Sequence, residues 1–317
     1  MDSALVSILI PAHNAAPWIR ETLASALAQT WPRTEIVVVD DGSTDGTAEA
    51  VGTRLCAGVR LIRQENRGAA AARNTAFAAA RGDWIQHLDA DDLLAPDKIE
   101  RQMTAAQAAP QFAFAGDWSR FERAPAVPPY PPEILCRDAD PVSWVVEKLE
   151  RHAMMHPAAW LLARSLAERV GPWDETLTLD DDGEYFTRAV LASAGVRHCP
   201  GAVSHYRSHL PGSLSRSGGD RAWASAFRSL ELTAGGLLAR EDSVRTRHAC
   251  ATAFQRFIYE AYPRAASSRR RAAARVKQWG GSDAQPLGGP RFQRARRLLG
   301  WRLAKRLLLA QAGESRR

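Results

Sequence analysis

Hydrophobic and polar positions alternate in short blocks along the first hundred residues. Short apolar or β-branched runs that end in polar residues indicate buried strands, and the segments between them have the spacing of amphipathic helices. The strands are expected at residues 5–10, 35–39, 59–63 and 84–88, and the helices at residues 18–29, 44–55 and 69–81. This alternation predicts an α/β fold in which helices cover both faces of a parallel sheet.

The pattern after residue 110 is less regular. Helical spacing returns at residues 152–165, 184–194, 221–274 and 292–310, and short strands are expected at residues 196–199 and 202–206. The Gly and Pro content of residues 280–290 indicates a linker. The sequence therefore predicts a second, less regular half after the first four strands, and then a helical C-terminal region.

Carboxylates follow two of the predicted strands. Asp40 and Asp41 come after the second strand, and Asp89, Asp91 and Asp92 come after the fourth. Because the carboxyl ends of parallel strands meet at one edge of a sheet, these side chains are expected to converge and repel each other. A hard divalent cation, Mg²⁺ or Mn²⁺, would relieve the repulsion and would also bind phosphate oxygens. The alternative is that these acids only form turns and cap helices.

A glycine and an arginine stand at the start of the third predicted helix. Gly68 follows Asn66 and permits close approach of the backbone to a ligand, and the helix N-terminus behind it suits an anion. Arg73 lies about one and a half turns into that helix, where a guanidinium could reach a diphosphate. The alternative is a loop glycine and a solvated arginine.

Two common nucleotide motifs are absent from the sequence. After the first strand stand Pro11, Ala12, His13 and Asn14, where a dinucleotide-binding chain would carry its glycine fingerprint. The Walker lysine motif is missing as well. The first absence disfavours an NAD-dependent enzyme, and the second excludes a P-loop ATPase.

Composition and charge exclude further classes. The 317 residues are 45% hydrophobic and 24% charged, which is typical of a globular protein rather than a disordered chain, a collagen or a coiled coil. The net charge of +7 is uneven, since residues 264–317 carry 15 basic and 2 acidic residues and the rest is mildly acidic. A uniformly basic nucleic-acid binder is therefore not expected.

The four cysteines and the lengths of the apolar runs indicate the cellular compartment of the protein. No CxxC is present and no His lies at metal-ligand spacing in sequence from a Cys, so neither a disulfide framework nor a zinc site is expected. The N-terminus lacks the pattern of a signal peptide, and no run of about 18 apolar residues occurs. We therefore expect a cytoplasmic protein.

Four motifs in the first hundred residues, in this order, resemble those of the family 2 inverting glycosyltransferases of the GT-A fold, as found in bacterial cell-surface glycan synthesis. They are VSILIPAHN at residues 6–14, VVVDDGSTDGT at 37–47, NRG and ARN at 66–68 and 72–74, and LDADD at 88–92. Weaker similarities continue to about residue 216, among them VGPWDE at 170–175 and DDGEYFTR at 181–188. The resemblance implies a Rossmann-like nucleotide-binding sheet with helices on both faces, followed by a helical C-terminal region.

The resemblance also implies a donor site for a nucleoside diphosphate sugar, with UDP as the expected nucleotide. Its nucleotide-binding residues would be Pro11, His13, Asn14, Asp40, Asp41, Asn66, Gly68, Arg73 and Asp89. The cofactor would be Mn²⁺ or Mg²⁺ held by Asp91, with Asp89 and His209 as further candidate ligands, and Asp92 would complete the family's DxDD form.

The acidic run at residues 180–184 resembles the family's catalytic segment. Asp182 matches the base that takes the proton of the acceptor hydroxyl, with Asp181 and Glu184 as alternatives. The residues alone also fit a helix N-terminus with favourable dipole charges. The acceptor site would include His156, Arg188, Tyr206 and Arg207. By this resemblance, residues 1–115 bind the donor, residues 116–215 bind the acceptor and carry the base, and residues 216–317 form a basic helical region.

The expected activity is metal-dependent transfer of a sugar, with inversion, to a hydroxyl of a saccharide or lipid-linked acceptor. The alternatives are a catalytically degenerate nucleotide-sugar-binding protein of the same fold and a nucleotidyltransferase. The segment 292–310 has apolar residues at helical spacing among several Arg residues, which fits either an anionic membrane surface or packing on the catalytic domain. The apolar positions are Phe292, Leu299, Leu303, Leu307 and Ala310.

Overall fold

The computed structural model describes residues 3–53, 58–125, 133–209 and 219–314. The strands of this part of the chain are β1 (Val6–Ala12), β2 (Thr34–Asp41), β3 (Val59–Gln64), β4 (Trp84–His87), β5 (Leu93–Leu94), β6 (Ala113–Phe121), β7 (Trp160–Ala163) and β8 (Val196–Arg207). The helices are α1 (Ile19–Leu27), α2 (Thr47–Gly52), α3 (Ala69–Ala79), α4 (Lys98–Ala106), α5 (Pro141–Arg151), α6 (Arg164–Val170), α7 (Asp181–Ala192), α8 (Asp220–Arg240), α9 (Val244–Ala261), α10 (Ala266–Gln278) and α11 (Pro290–Glu314).

These strands form one sheet in the order β3-β2-β1-β4-β7-β6-β8-β5. The first four strands of the chain are parallel neighbours, as the sequence pattern predicts. β7 then pairs antiparallel with β4 and β6, and β8 runs parallel to β6. The predicted parallel sheet is therefore one half of a larger mixed sheet.

Both faces of the parallel half are covered by helices. Ile8 and Val38 belong to the larger apolar core, whereas Leu9 and Val37 belong to a second cluster on the other face, which includes Ala76 of α3. The alternation follows from the period of two along a strand, which sends successive side chains to opposite faces. The predicted α/β fold with helices on both faces is confirmed.

The helix predicted at residues 152–165 from the spacing of apolar residues is wrong. Residues Trp160–Ala163 form β7, and only a short 3-10 turn at Pro157–Ala159 precedes it. All four residues of β7 are buried because the strand lies between β4 and β6. A strand buried on both faces is a continuous apolar run, and periodicity alone cannot distinguish such a run from a buried helix.

The sequence pattern predicts two strands where the structure has the single strand β8, and it predicts no strand at β6. The two short strands expected at residues 196–199 and 202–206 are one strand that continues through Pro200 and Gly201. β6 has no clear signal because Ala113, Ala115 and Gly116 have low strand propensity. Gly116 is required there, since a Cβ at this position would lie 2.1 Å from the carbonyl oxygen of Ala202.

The C-terminal region is helical from α8 to α11, in agreement with the sequence. α9 packs on α5, and α8 packs on α7, so this region supports the half of the sheet that contains β6 to β8. α11 bends at Gly300, whose φ is 74°. In the part of the chain that the structure describes, no helix has the length and hydropathy needed to span a bilayer.

Candidate active site

The loop after β2 and the loop before α3 meet at the carboxyl edge of the sheet. The Asp41 carboxylate accepts hydrogen bonds from the side chain of Gln64 at 2.7 Å and from the backbone N–H groups of Arg67 and Gly68 at 2.9 and 2.8 Å. Gly42 permits the contact because its φ is 70° and a Cβ would lie 2.8 Å from the backbone nitrogen of Asn66. Asp41 therefore fixes the backbone of the Asn66–Gly68 turn within this edge.

The other predicted nucleotide-binding residues of the first two loops lie around Asp41. His13 contacts the carbonyl oxygen of Asp41 through Nδ1 at 2.8 Å, and the amide of Asn66 lies 3.1 Å from the same ring. Asn14 accepts a hydrogen bond from the backbone of Thr44 at 2.9 Å. In the same region, Asp40 accepts a hydrogen bond from the backbone of Ser43, and Pro11 pairs with Val39 in the sheet.

The carboxylates after β4 have different environments. Asp89 accepts a hydrogen bond from Arg73 at 2.8 Å, and Asp92 is completely buried. The side-chain carboxylate of Asp91 accepts no hydrogen bond from another residue of the described ranges. Burial, together with the charges of Asp92 and Asp89, raises the pKa of Asp91 to about 8. An acid that is desolvated and repelled in this way is stabilised as a carboxylate by a bound cation, so Asp89 and Asp91 fit a hard divalent metal.

Asp92 is held by a buried polar network rather than facing solvent. Its Oδ2 accepts a hydrogen bond from Nδ1 of His156 at 3.0 Å, and its Oδ1 accepts one from the backbone of Arg207 at 2.8 Å. Burial lowers the pKa of His156 to about 3, so the imidazole is neutral, and its Nε2 accepts a hydrogen bond from Ser204 at 2.8 Å. The Arg207 side chain donates to the carbonyl oxygen of Asp91. His156 and Arg207 therefore orient the Asp89–Asp92 turn.

Arg73 joins the two predicted halves of the site. Its guanidinium donates to Asp89 at 2.8 Å and to Asp181 at 2.6 Å, and it lies 4.4 Å from the centroid of the Trp173 ring. The side chain is only 6% exposed. Although burial opposes its charge, the neighbouring carboxylates raise the pKa of Arg73 and keep it protonated. This one residue brings the acids after β4 and the acids at the start of α7 to the same place.

The acidic run forms the first turn of α7, after Asp180, which has a φ of 60°. Asp181 is engaged by Arg73, and Glu184 is paired with Arg188 at 2.5 Å. The Asp182 carboxylate accepts a hydrogen bond only from the adjacent backbone of Gly183 among the described contacts.

Burial and the charges of Asp181 and Asp180 raise the pKa of Asp182 to about 7. A carboxylate with that pKa can accept a proton near neutral pH.

Several residues that support the site have no local signal in the sequence. Lys148, on α5, donates to the carbonyl oxygen of Gly183 at 2.6 Å and to the hydroxyl of Thr187 at 2.8 Å, so it holds the first turn of α7. His87, at the end of β4, is buried against Trp173 and Tyr185, which stack with ring centroids 4.1 Å apart. Burial and Arg73 lower the pKa of His87 to about 3. Only the folded arrangement places Lys148 and His87 at the site.

The remaining predicted residues make different kinds of contact within the protein. Tyr206 packs its ring edge against His156, with the ring centroids 5.6 Å apart. Arg188 donates to the carbonyl oxygens of Val170 and Pro172 and to Glu184, so its guanidinium is used within the protein. His209 is exposed and pairs with Glu122 at 2.9 Å.

The fold and the site define an α/β protein with two groups of carboxylates that converge at the carboxyl edge of its parallel strands. The model of the family described as "Glycosyl transferase family 2" matches residues 7–161. This stretch includes nearly all of β1, all of β2 to β6, the first half of β7, and every predicted nucleotide-binding residue. Residues 7–161 therefore form a family 2 glycosyltransferase domain, and the resemblance stated from the sequence is confirmed for this stretch.

Relatives and solved structures agree with that assignment. The chain is 44% identical over 105 residues to the succinoglycan biosynthesis protein ExoO of Rhizobium meliloti, covering 33% of this chain and 30% of that one. The structure of S. aureus TarS 1–349 in complex with UDP-GlcNAc is similar with a TM-score of 0.63 and 16% identity, over 87% of this chain and 89% of that chain.

The mannosyltransferase PcManGT of Pyrobaculum calidifontis, in complex with GDP-Man and Mn²⁺, is similar with a TM-score of 0.56 and 22% identity, over 100% of this chain and 82% of that chain. These structural likenesses establish the GT-A fold. The chain spans less than two thirds of the length of the curated relatives that it matches.

Proposed function

We propose that the protein transfers a sugar, with inversion and with a divalent cation, from a nucleoside diphosphate donor to a hydroxyl of a growing glycan or glycolipid. The observation that carries the proposal is the buried Arg73, which ties Asp89 to Asp181 and so brings the donor acids next to Asp182. UDP is the proposed nucleotide, in line with the UDP-GlcNAc complex of TarS. Residues 1–115 would bind the donor, and residues 116–215 would bind the acceptor.

The donor would lie over the carboxyl edge of the sheet. The nucleoside would contact the loops that contain His13, Asn14, Asp40 and Asp41, and the diphosphate would approach the N-terminus of α3 behind Gly68. Asp91, with Asp89, would hold Mn²⁺ or Mg²⁺, in line with the Mn²⁺ complex of PcManGT. When bound, the cation supplies positive charge to the diphosphate leaving group.

Asp182 is the proposed general base. Its two acidic alternatives are occupied, Asp181 by Arg73 and Glu184 by Arg188, whereas Asp182 has a raised pKa and few partners. In this role it accepts the proton of the acceptor hydroxyl as that oxygen bonds to the anomeric carbon and the bond to the diphosphate breaks. Attack opposite the leaving group inverts the anomeric centre, and no covalent intermediate with the protein is needed.

Binding of Mn²⁺ with UDP tests the donor site. We expect the affinity for Mn²⁺ in the presence of UDP to rise as the pH increases from 6 to 9, because protons compete for Asp91, whose pKa is about 8. Isothermal titration at several pH values measures this dependence. We expect Asp91→Asn to lose the Mn²⁺-dependent part of UDP binding, while Asp97→Asn, on the exposed start of α4, retains it. Equal Mn²⁺-dependent binding in Asp91→Asn would refute the assignment of the metal ligand.

We also propose a cytoplasmic location, with α11 resting on an anionic membrane surface. The described cysteines Cys136, Cys199 and Cys250 are unpaired, as expected in a reducing compartment. Leu299, Leu303 and Leu307 are each nearly half exposed on α11. Residues 290–313 contain seven Arg or Lys residues and no acidic residue. Exposed leucines among arginines are typical of a helix in the membrane interface.

Vesicle co-sedimentation tests the membrane proposal. We expect the full chain to sediment with phosphatidylglycerol vesicles and much less with phosphatidylcholine vesicles, because the attraction depends on anionic lipid. The double variant Leu303→Glu, Leu307→Glu is expected to lose binding. Val244→Glu, which changes an equally apolar but 88% exposed residue on α9, serves as the matched control. Unchanged sedimentation of the double variant would contradict the proposal.

A further inference from the structure

Three residues with metal-binding side chains meet on the sheet away from the acids described above. Asp117 lies on β6 where the pairing with β8 shifts register, and His198 lies on the facing part of β8. Cys136 belongs to the segment before α5, in which Ala139 pairs with Val196 at the start of β8. His198 pairs with Ala115 of β6, and Ser204, a partner of the Asp92 network, pairs with Trp118, so about 10 Å of strand separates the two places.

The geometry of these three side chains suits a small cation. One ligand atom from each of Asp117, Cys136 and His198 lies within 4.8 Å of the other two. Ligands of a tetrahedral zinc ion are about 3.3–3.8 Å apart, given the usual bond lengths to S, N and O. The Asp117 oxygen and the His198 Nε2 are 2.8 Å apart in the ion-free structure. Small side-chain movements would therefore bring the three atoms to coordinating distance.

Hydrogen bonds from backbone N–H groups orient the Asp117 carboxylate and fix the main chain at His198. The second oxygen of Asp117 accepts a hydrogen bond from the backbone of Gly201 at 2.7 Å, which leaves the first oxygen to face His198. The backbone N–H of His198 donates to Asp138 at 2.8 Å, which fixes the start of β8. Partners of this kind, one step outside the coordinating atoms, fix the orientation of metal ligands in proteins.

The third candidate ligand is the thiol of Cys136, whose protonation state would change when a cation binds. The thiol has a weak contact with the carbonyl oxygen of Gly116, at 3.6 Å. Burial and the charges of Asp117 and Glu133 raise the pKa of Cys136 to about 12, so the thiol is protonated without a cation. Metal binding reverses this preference, because the thiolate is the coordinating form and its proton is released to solvent.

We propose that Asp117, Cys136 and His198 bind a zinc-class divalent cation, with the fourth position open to water. A thiolate and an imidazole favour zinc over Mg²⁺ or Mn²⁺, whereas the all-carboxylate site at Asp89 and Asp91 has the opposite preference. The cation would fasten the segment around Cys136 to the β6–β8 pair. This site is independent of the proposed transfer reaction. The sequence gives no hint of it because its ligands are 19 and 62 residues apart.

Titration of the metal-free full chain with Co²⁺ tests the proposal, because a cobalt–thiolate bond has a charge-transfer absorption in the near ultraviolet. We expect this band in the wild-type protein and its displacement by Zn²⁺. Cys136→Ala is expected to lose the band, and His198→Gln is expected to weaken Co²⁺ binding by at least about tenfold. Cys250→Ala, which removes a buried thiol from α9, and Asp91→Asn, which alters the other metal site, should both retain it.

Absence of the band in the wild type, or its persistence in Cys136→Ala, would overturn the proposal. Circular dichroism establishes whether each variant is folded. If Cys136→Ala does not fold, the wild-type band and its weakening in His198→Gln decide the question. An unaltered cobalt titration in His198→Gln would then contradict the assigned ligands.

Discussion

Replacing Asp182 by Asn is expected to abolish sugar transfer while leaving donor binding intact. The amide keeps the shape of the side chain but cannot take a proton from the acceptor hydroxyl, and general base catalysis contributes about 10²- to 10⁴-fold to such reactions. The loss should therefore appear in kcat, with UDP affinity in the presence of Mn²⁺ unchanged. Asp97→Asn makes the same chemical change on the surface and should behave as wild type.

The pH profile of the wild-type enzyme adds a second readout for the same residue. Because the pKa of Asp182 is raised to about 7, the basic form is a minority below that pH and predominates above it. We expect kcat/KM to rise as the pH increases through about 7 and then to level off. Full activity in Asp182→Asn would instead assign the base to Asp181 or Glu184.

Replacing Arg73 by Met is expected to have the largest effect on stability. The substitution leaves Asp89 and Asp181 partly buried without their shared cation, and removing one partner of a buried ion pair costs about 3–5 kcal/mol of the free energy of unfolding. Urea denaturation of the metal-free protein measures this loss. Transfer activity should also be lost, because the two groups of acids are no longer held together.

Arg67→Met is the matched control for Arg73→Met. Arg67 also pairs with a carboxylate, that of Glu175, but its side chain is 60% exposed. Exposed ion pairs contribute about 0–1 kcal/mol, so this variant should unfold nearly as the wild type does. If Arg73→Met were as stable as Arg67→Met, the proposed coupling of the two halves through Arg73 would be wrong.

The parallel half of the fold is predictable from the sequence because its elements have strong local signals. β1 and β2 are short β-branched runs that end in turn residues, and α3 follows a glycine. The later part is less predictable for physical reasons. β7 is buried on both faces and lacks alternation, and β6 combines alanines and a glycine that only the close approach of Ala202 explains.

The candidate site, like the fold, is only partly predictable from the sequence. The order of the motifs along the sequence predicts Asp89 and Asp91 as metal ligands and Asp182 as the base. Each of these residues lies at a strand or helix end beside turn residues. The sequence does not reveal that Arg73 bridges Asp89 and Asp181, which are 16 and 108 residues away from it. Nor does it reveal Lys148, a half-buried lysine whose partners are a backbone carbonyl and a hydroxyl on another helix. Such contacts depend on tertiary packing, which has no local signature.

Donor turnover tests most directly whether the protein transfers a sugar with a divalent cation and with Asp182 as the base. The full chain would be incubated with a panel of UDP- and GDP-sugars, with and without Mn²⁺, and release of the nucleoside diphosphate would be followed with bacterial glycolipid extract as the acceptor. We expect Mn²⁺-dependent release from one donor series by the wild type and by Asp97→Asn, and none by Asp182→Asn. Release that is equal with and without Mn²⁺, or equal in Asp182→Asn, would contradict this expectation.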